Sequence, residues 1–163
     1  MGSIESPDMK ILITGAAGFI GQALAAALME ESPSATIILT DVVEPSVPSV
    51  KRHSGDAVKT LAADLTSKDV CDSLFTSDLT HAYLLHGIMS GAAEANYDLG
   101  LRVNVDSMRY VADALRRHTK KEPTRVVFPS SLAVFGPSGP GDVVTEGTMP
   151  QPRSSYGAEK AMV

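Results

Sequence analysis

The sequence predicts an α/β domain in which a doubly wound parallel sheet carries helices on both faces. Two observations support this fold: short apolar runs alternate with helical patterns along the chain, and a glycine-rich turn joins the first run to the first helix. Each run is typical of a strand that is buried on both faces. The predicted strands are Lys10–Thr14, Thr36–Thr40, Lys59–Ala63, His81–His86 and Arg125–Pro129.

Helical segments between these strands determine how the chain winds. They are predicted at Phe19–Glu31, Ser67–Phe75 and Ala92–His118. Because crossovers between parallel strands are right-handed, this order places a ligand site across the carboxyl ends of the strands. Glycine and proline mark Gly136–Pro152 as a surface loop. We expect residues 1–8 to form a disordered extension and residues 9–163 to form one domain.

The stretch MKILITGAAGFIG, residues 9–21, predicts a dinucleotide-binding turn. Gly15 permits a tight turn after the first strand, and Gly18 lets backbone amides approach a pyrophosphate at the helix N-terminus. Gly21 lets the helix lie close to the sheet. An ordinary strand-to-helix turn is the alternative for a glycine pattern taken alone.

The second predicted strand is followed by an acid that indicates NAD as the cofactor. Asp41 lies twenty residues after Gly21, an offset at which a carboxylate accepts hydrogen bonds from both ribose hydroxyls of the adenosine. The carboxylate would repel a 2′-phosphate, which favours NAD over NADP. Lys51 and Arg52 follow in a loop about ten residues later and weaken this preference.

The ends of the third and fourth strands add cofactor contacts. Asp64 and Leu65 follow the third strand, where the Asp64 carboxylate is placed to accept a hydrogen bond from the adenine amino group. Gly87 follows the fourth strand and leaves room for the backbone against the cofactor because it has no side chain. We interpret the neighbouring His86 as structural.

A tyrosine and a lysine near the end of the chain indicate acid–base chemistry. Tyr156 and Lys160 are four residues apart and therefore project from one face of a helix. A neighbouring ammonium and the positive nicotinamide ring of NAD⁺ both favour the phenolate form of a tyrosine. Tyr156 is then able to take the proton of a substrate alcohol, while Ser131 holds the alcohol oxygen and Lys160 grips the nicotinamide ribose. A surface pair is the alternative when the two residues are taken alone.

The composition favours a compact cytoplasmic domain with small-molecule partners. The chain has 163 residues, is 44% hydrophobic and carries a formal net charge of −5, which gives it no reason to bind nucleic acid or an anionic membrane. Cys71 is the only cysteine, and we interpret it as structural. We find no apolar run of transmembrane length, and the histidines show no metal-ligand spacing.

Together the motifs TGAAGFIG, ADL, NVDS, SSLAVFG and YGAEK resemble the extended short-chain dehydrogenase/reductase family. The resemblance extends in order across nearly the whole chain and implies a Rossmann fold. It also implies pyrophosphate contacts from Gly15, Gly18, Phe19 and Ile20, a ribose contact from Asp41, adenine contacts from Asp64 and Leu65, and catalysis by Ser131, Tyr156 and Lys160. Asn104 matches the family's NVxGT-like motif, where it would kink the long helix and support the proton relay, although Ser107 replaces the usual glycine.

Within that family, HGIMSGAAEANYDLGLRVNVD resembles the D-erythronate dehydrogenase group, which are NAD-dependent oxidoreductases of sugar acids. In such enzymes the loop after the fourth strand faces the substrate. The resemblance implies that Ser90 and Gly91 offer a hydroxyl and an amide to a substrate carboxylate. The alternative is that Ser90 caps the next helix.

These features predict an NAD-dependent dehydrogenase that oxidises a secondary alcohol of a small sugar acid. A nucleotide-sugar epimerase or dehydratase and a non-catalytic NAD-binding module are the alternatives. Because family members continue past the position of Val163, we expect this chain to be a cofactor-binding portion without the C-terminal substrate region. Uncovered apolar surface on the last helix and fifth strand leads us to expect self-association, such as a homodimer.

Overall fold

The sheet of this protein is parallel throughout. A computed structural model describes residues 9–51, 57–118, 123–137, 141 and 143–163, so the predicted N-terminal extension over residues 1–8 lies outside the described part. The five strands pair in the order β3-β2-β1-β4-β5. They are β1 (Lys10–Thr14), β2 (Thr36–Asp41), β3 (Val58–Ala62), β4 (His81–Leu84) and β5 (Arg125–Val127). The predicted doubly wound sheet is confirmed, and its strand order reverses between β1 and β4.

Helical segments connect the strands. The α-helices are α1 (Phe19–Glu31), α2 (Lys68–Leu74), α3 (Ser90–Ala95), α4 (Tyr97–Gly100), α5 (Ser107–Arg117) and α6 (Ser155–Met162). A π-helical segment spans Leu101–Asp106, and a 3₁₀ turn spans Leu132–Phe135. The predicted bounds of α1 are confirmed at both ends. The predicted segment Ala92–His118 is helical but divided, because the Asn96 side chain accepts a hydrogen bond from Leu99 N (3.0 Å) and so starts a new helix.

Alternation along β1 divides the core into two layers. Leu12 packs with residues of α2 and α5 on one face, whereas Ile11 and Ile13 pack with residues of α1 on the other. Cys71 belongs to the first layer, where its thiol donates to Leu65 O (3.3 Å). Burial raises the pKa of this thiol to about 11, as expected of a structural cysteine.

The expectation that every strand is buried on both faces is wrong for β3 and β5. Both are edge strands, and none of their residues is fully buried. Val126 and Val127 on β5 are 44% and 51% exposed, because the described residues leave part of this edge uncovered. Beside them, an apolar groove is lined by Leu84, Val105, Met108, Phe128 and Met162, among others.

Three strands also end earlier than predicted, and β3 is one of them because it ends at Ala62 rather than Ala63. β4 stops at Leu84 rather than His86. β5 stops at Val127 because Pro129 has no N–H to donate to a neighbouring strand.

Within the described residues, no helix combines the length and the hydrophobicity needed to cross a bilayer.

Candidate functional site

A cavity of about 130 Å³ lies at the carboxyl ends of the strands. We call it the edge cavity. It brings together several residues that the sequence predicts to bind the cofactor, namely Gly15, Asp41, Asp64, Leu65 and Gly87. It is also lined by residues that were not assigned to the cofactor: His86, Ile88 and Ser107. The position fits the rule that parallel sheets bind ligands where the strand order reverses.

The glycine-rich turn holds α1 against the end of β1. Gly15 has a φ of +67°, and a Cβ there would lie 2.6 Å from Leu85 C. A Cβ on Gly21 would lie 2.3 Å from Gly15 O and 2.6 Å from Ala16 Cα. Both contacts are to backbone atoms, which cannot move aside without breaking the turn. The predicted close approach of helix and sheet is therefore present.

The N-terminus of α1 faces the same edge of the sheet. Gly18 is its N-cap residue, and the helix starts at Phe19. The first N–H groups of an α-helix have no partner within the helix and carry a partial positive charge. Phe19 and Ile20 are 91% and 61% exposed, so this end of α1 is open to solvent.

Two carboxylates are held in fixed orientations near the cavity. Asp41 accepts hydrogen bonds from Ala17 N (3.1 Å) and Val42 N (2.8 Å), which attaches it to the glycine-rich turn. Asp64 is exposed and accepts from Thr66 N (2.9 Å) through Oδ1. Leu65, next to it, is buried in the core. The two acids therefore lie on the walls of one cavity, as the sequence predicts for ribose and adenine contacts.

His86 lies beneath the cavity in a chain of hydrogen bonds. Ser107 Oγ donates to Val103 O (2.5 Å), so it accepts from Nε2–H of His86 (2.9 Å). Nδ1 is then the acceptor for the Thr14 hydroxyl (2.7 Å), because this contact is shorter than the one from the same hydroxyl to Tyr83 O (3.3 Å). Burial, and next the charge of Lys160, lower the pKa of His86 to about 4, while Asp41 opposes the shift. The ring is neutral at pH 7, in agreement with a structural role.

Asn104 connects the π-helical segment to the loop after β4. It is buried, and its Oδ1 accepts from Ile88 N (2.9 Å) while its Nδ2 donates to Ile88 O (3.1 Å). A Cβ on Gly87 would lie 2.9 Å from Asn104 Oδ1, so the room at Gly87 serves Asn104 as well as the cavity. The predicted irregularity of the long helix at Asn104 takes the form of this π-helical segment.

Tyr156 and Lys160 lie on α6, which packs against the 3₁₀ turn that follows Ser131. Tyr156 is buried, and Lys160 Nζ donates to Pro129 O (3.1 Å) and lies 4.2 Å from the centroid of the Phe128 ring. Burial lowers the pKa of Lys160 below its usual value. Ser131 caps the 3₁₀ turn by accepting from Ala133 N (3.2 Å). All three residues thus lie at or after the end of β5.

The two residues predicted to bind substrate are exposed at the start of α3. The N-cap of α3 is Met89, so Ser90 is the first helical residue and not the cap. No heavy atom lies within 4 Å of the position of a Cβ on Gly91.

Among the described residues, no cluster of histidines, cysteines and acids could hold a metal ion.

The sequence analysis did not identify two carboxylates that connect α6 to the rest of the domain, one on α3 and one on α6 itself. Glu94 on α3 accepts from Ser155 N (2.6 Å) at the first turn of α6. Glu159 is fully buried and accepts from Asn104 Nδ2 (2.6 Å). The one sequence signal that could have indicated a buried position for Glu159 is its place among the small residues of YGAEKAM. Nothing in the local pattern indicated the pairing of Glu94.

The comparisons with known proteins agree with this geometry. The model of the NAD dependent epimerase/dehydratase family matches residues 11–163. D-erythronate dehydrogenase of Cupriavidus necator is 37% identical over 94% of this chain and 48% of its own length. D-erythronate dehydrogenase of Haemophilus influenzae is 34% identical over 94% of this chain and 47% of its own length. The chain spans about half the length of these curated relatives.

Solved structures share the fold over the same half. The nucleoside-diphosphate-sugar epimerase from Agrobacterium tumefaciens superimposes with a TM-score of 0.85 at 33% sequence identity. The superposition covers 99% of this chain and 49% of that protein. This epimerase therefore shares the predicted fold, and its sequence identity to this chain is close to that of the two D-erythronate dehydrogenases.

The close contact at Gly21 predicts opposite effects of one substitution at two helical glycines. Gly21→Ala should lower the free energy of unfolding by roughly 2 kcal/mol, because the new methyl group meets backbone atoms. Gly91→Ala should be neutral or stabilising by up to about 1 kcal/mol, because alanine favours helix and the space is open. Urea unfolding followed by circular dichroism measures both. Equal effects would contradict the close packing of α1 on the turn.

Proposed function

Because the chain belongs to the NAD dependent epimerase/dehydratase family, we propose that it binds NAD(H) across the edge cavity and takes part in hydride transfer with a sugar acid. The observation that carries this proposal is the position of Asp41 and Asp64 on one cavity beside the glycine-rich turn. The same cavity reaches His86, whose pKa is lowered first by burial and then by the charge of Lys160.

Each part of the site has a distinct duty toward the cofactor. The free N–H groups at the start of α1 would bind the pyrophosphate. Asp41 would accept from the ribose hydroxyls of the adenosine, while Asp64 and Leu65 would contact the adenine. The neutral His86 would support the floor of the cavity without adding a positive charge.

The chain's own residues would handle the proton of the reaction. Bound NAD⁺ supplies the acceptor for the hydride. Tyr156 would accept the hydroxyl proton of the substrate alcohol, so that oxidation leaves a carbonyl, and Ser131 would hold the oxygen. Lys160 lies on the same helix one turn later, where it would grip the nicotinamide ribose.

A small sugar acid is the substrate that the relatives support best. Two D-erythronate dehydrogenases match 94% of this chain. Ser90 and Gly91 are exposed after β4, where they can offer a hydroxyl and an amide to a carboxylate. A nucleotide-sugar epimerase is the second candidate, favoured by the TM-score of 0.85 with such a protein. Net NADH formation from D-erythronate supports the first, and an epimerised nucleotide sugar without net NADH supports the second.

The carboxylate of Asp41 predicts a preference for NAD⁺ over NADP⁺. Calorimetric titration of this chain should give an affinity for NAD⁺ that is about tenfold higher or more, because the 2′-phosphate would meet the carboxylate. Asp41→Asn should reduce the ratio of the two affinities. Asp64→Asn is the matched control: it should weaken both cofactors alike and leave the ratio unchanged. A preference for NADP⁺ in the parent chain would contradict the assignment of Asp41 to the adenosine ribose.

The assigned roles of Tyr156 and Lys160 predict different losses. In a longer form of the protein that turns over D-erythronate, Tyr156→Phe should lower kcat by about 10² or more with little change in NAD⁺ affinity, because only the hydroxyl is lost. Lys160→Ala should impair both kcat and NAD⁺ affinity. The measurements are NADH absorbance and calorimetry. Near-normal turnover by Tyr156→Phe would rule out this mechanism.

The apolar groove beside β5 predicts self-association of this chain. Val126 and Val127 are partly exposed on an edge strand, and Met162 on α6 is 63% exposed beside them. We expect elution as a dimer or larger species in size-exclusion chromatography with light scattering. Val127→Lys should shift the chain toward the monomer because it places a charge on this edge. A monomeric parent chain would contradict the proposal.

A further inference from the structure

Glu159 is a buried acid in the middle of the proposed catalytic helix. It lies three residues after Tyr156 and one before Lys160, and its side chain is 0% exposed. Burying a carboxylate is costly unless hydrogen bonds compensate. Its Oε2 accepts from Asn104 Nδ2 at 2.6 Å, whereas Oε1 is buried and has no hydrogen-bond partner among the described residues. Its one polar contact in this part of the chain is therefore with Asn104.

The Asn104 amide uses all of its hydrogen-bonding groups except one lone pair. Nδ2 donates to Glu159 Oε2 and to Ile88 O, and Oδ1 accepts from Ile88 N. If the amide were rotated by half a turn, Oδ1 would face Glu159 Oε2, and the NH₂ group would face the N–H of Ile88. The Glu159 contact thereby reinforces the one amide orientation that bonds both polar groups of Ile88, and it anchors the Asn104 side chain to α6.

Ile88 connects this contact to the cofactor site. It lines the edge cavity together with Asp41 and Asp64. A shift of the Ile88 peptide would change the wall of that cavity, although Glu159 itself does not line it. The chain of contacts runs from α6 through Glu159 and Asn104 to the loop after β4.

Gly100 provides the space that this carboxylate occupies. A Cβ on Gly100 would lie 2.2 Å from Glu159 Oε1 and 3.2 Å from Oε2. A methyl group there would push the carboxylate away from its present position without changing any charge. Gly100 is thus a second point from which the same contact can be disturbed.

We propose that Glu159 is a positioning residue: its buried carboxylate orients the Asn104 amide, which holds the Ile88 peptide in the shape that binds NAD. The inference rests on the proposed function, since it concerns the same cavity. It assigns to Glu159 an effect on cofactor binding that acts through Asn104 and Ile88, whereas Lys160 would contact the cofactor directly.

The direct test compares two substitutions of similar size by calorimetric titration of this chain with NAD⁺. Glu159→Leu removes the acceptor and should weaken NAD⁺ binding by about tenfold. Glu159→Gln keeps an oxygen for Asn104 Nδ2 and should bind within about threefold of the parent. Leu79→Ala is the control for loss of stability. Leu79 is buried in the core just before the amino end of β4, so its replacement should lower Tm and leave the affinity unchanged.

A double mutant tests the contact if Glu159→Leu does not fold. Gly100→Ala alone should weaken NAD⁺ binding by about tenfold, because its methyl group displaces the carboxylate. In a Glu159→Ala background the methyl group finds space, so Gly100→Ala should cause little further loss. Additive losses would contradict the inference.

Hydrogen exchange measured by NMR gives a readout that does not depend on the cofactor. The amide proton of Ile88 should exchange faster in Glu159→Leu than in Glu159→Gln, while amides in β1 keep their protection. If the parent chain does not bind NAD⁺, the proposed function fails, and this inference fails with it. If the parent binds NAD⁺ and Glu159→Leu binds it equally well, only the inference about Glu159 is overturned.

Discussion

The close contact between Gly21 and the backbone of Gly15 and Ala16 is the constraint on which the site depends. It fixes the N-terminus of α1 at the carboxyl end of β1, in the centre of the sheet. A parallel sheet then brings the ends of β2, β3 and β4 to the same edge. The N-terminus of a helix and two carboxylates therefore meet because of packing that requires residues without side chains.

A second level of organisation comes from buried polar groups. The Thr14 hydroxyl, His86 and Ser107 form one hydrogen-bonded chain beneath the cavity. Asn104 and Glu159 form another, which reaches α6. Because unpaired polar groups are costly in the core, each chain specifies one arrangement of its segments. The edge cavity and the proposed catalytic helix are thus connected by hydrogen bonds as well as by apolar packing.

Residue spacing along the chain predicted the features that depend on neighbouring residues, such as helix ends and the position of Asp41. Helix α1 begins and ends where its apolar spacing indicated, and Asp41 lies where its offset from the glycines indicated. The exposure of β3 and β5 could not be predicted in this way, because it depends on strand order. The partners of Glu159 and Glu94 lie 55 and 61 residues away in the chain, so no local pattern records them. Site roles that rest on bound molecules stay predictions.

A crystal structure of this chain grown with NAD⁺ would show where the cofactor binds. We expect the adenosine between Asp41 and Asp64, with the pyrophosphate against the amides at the start of α1. We also expect Ile88 to keep its two hydrogen bonds to Asn104. A cofactor bound in the apolar groove beside β5, with the edge cavity empty, would contradict the proposed site.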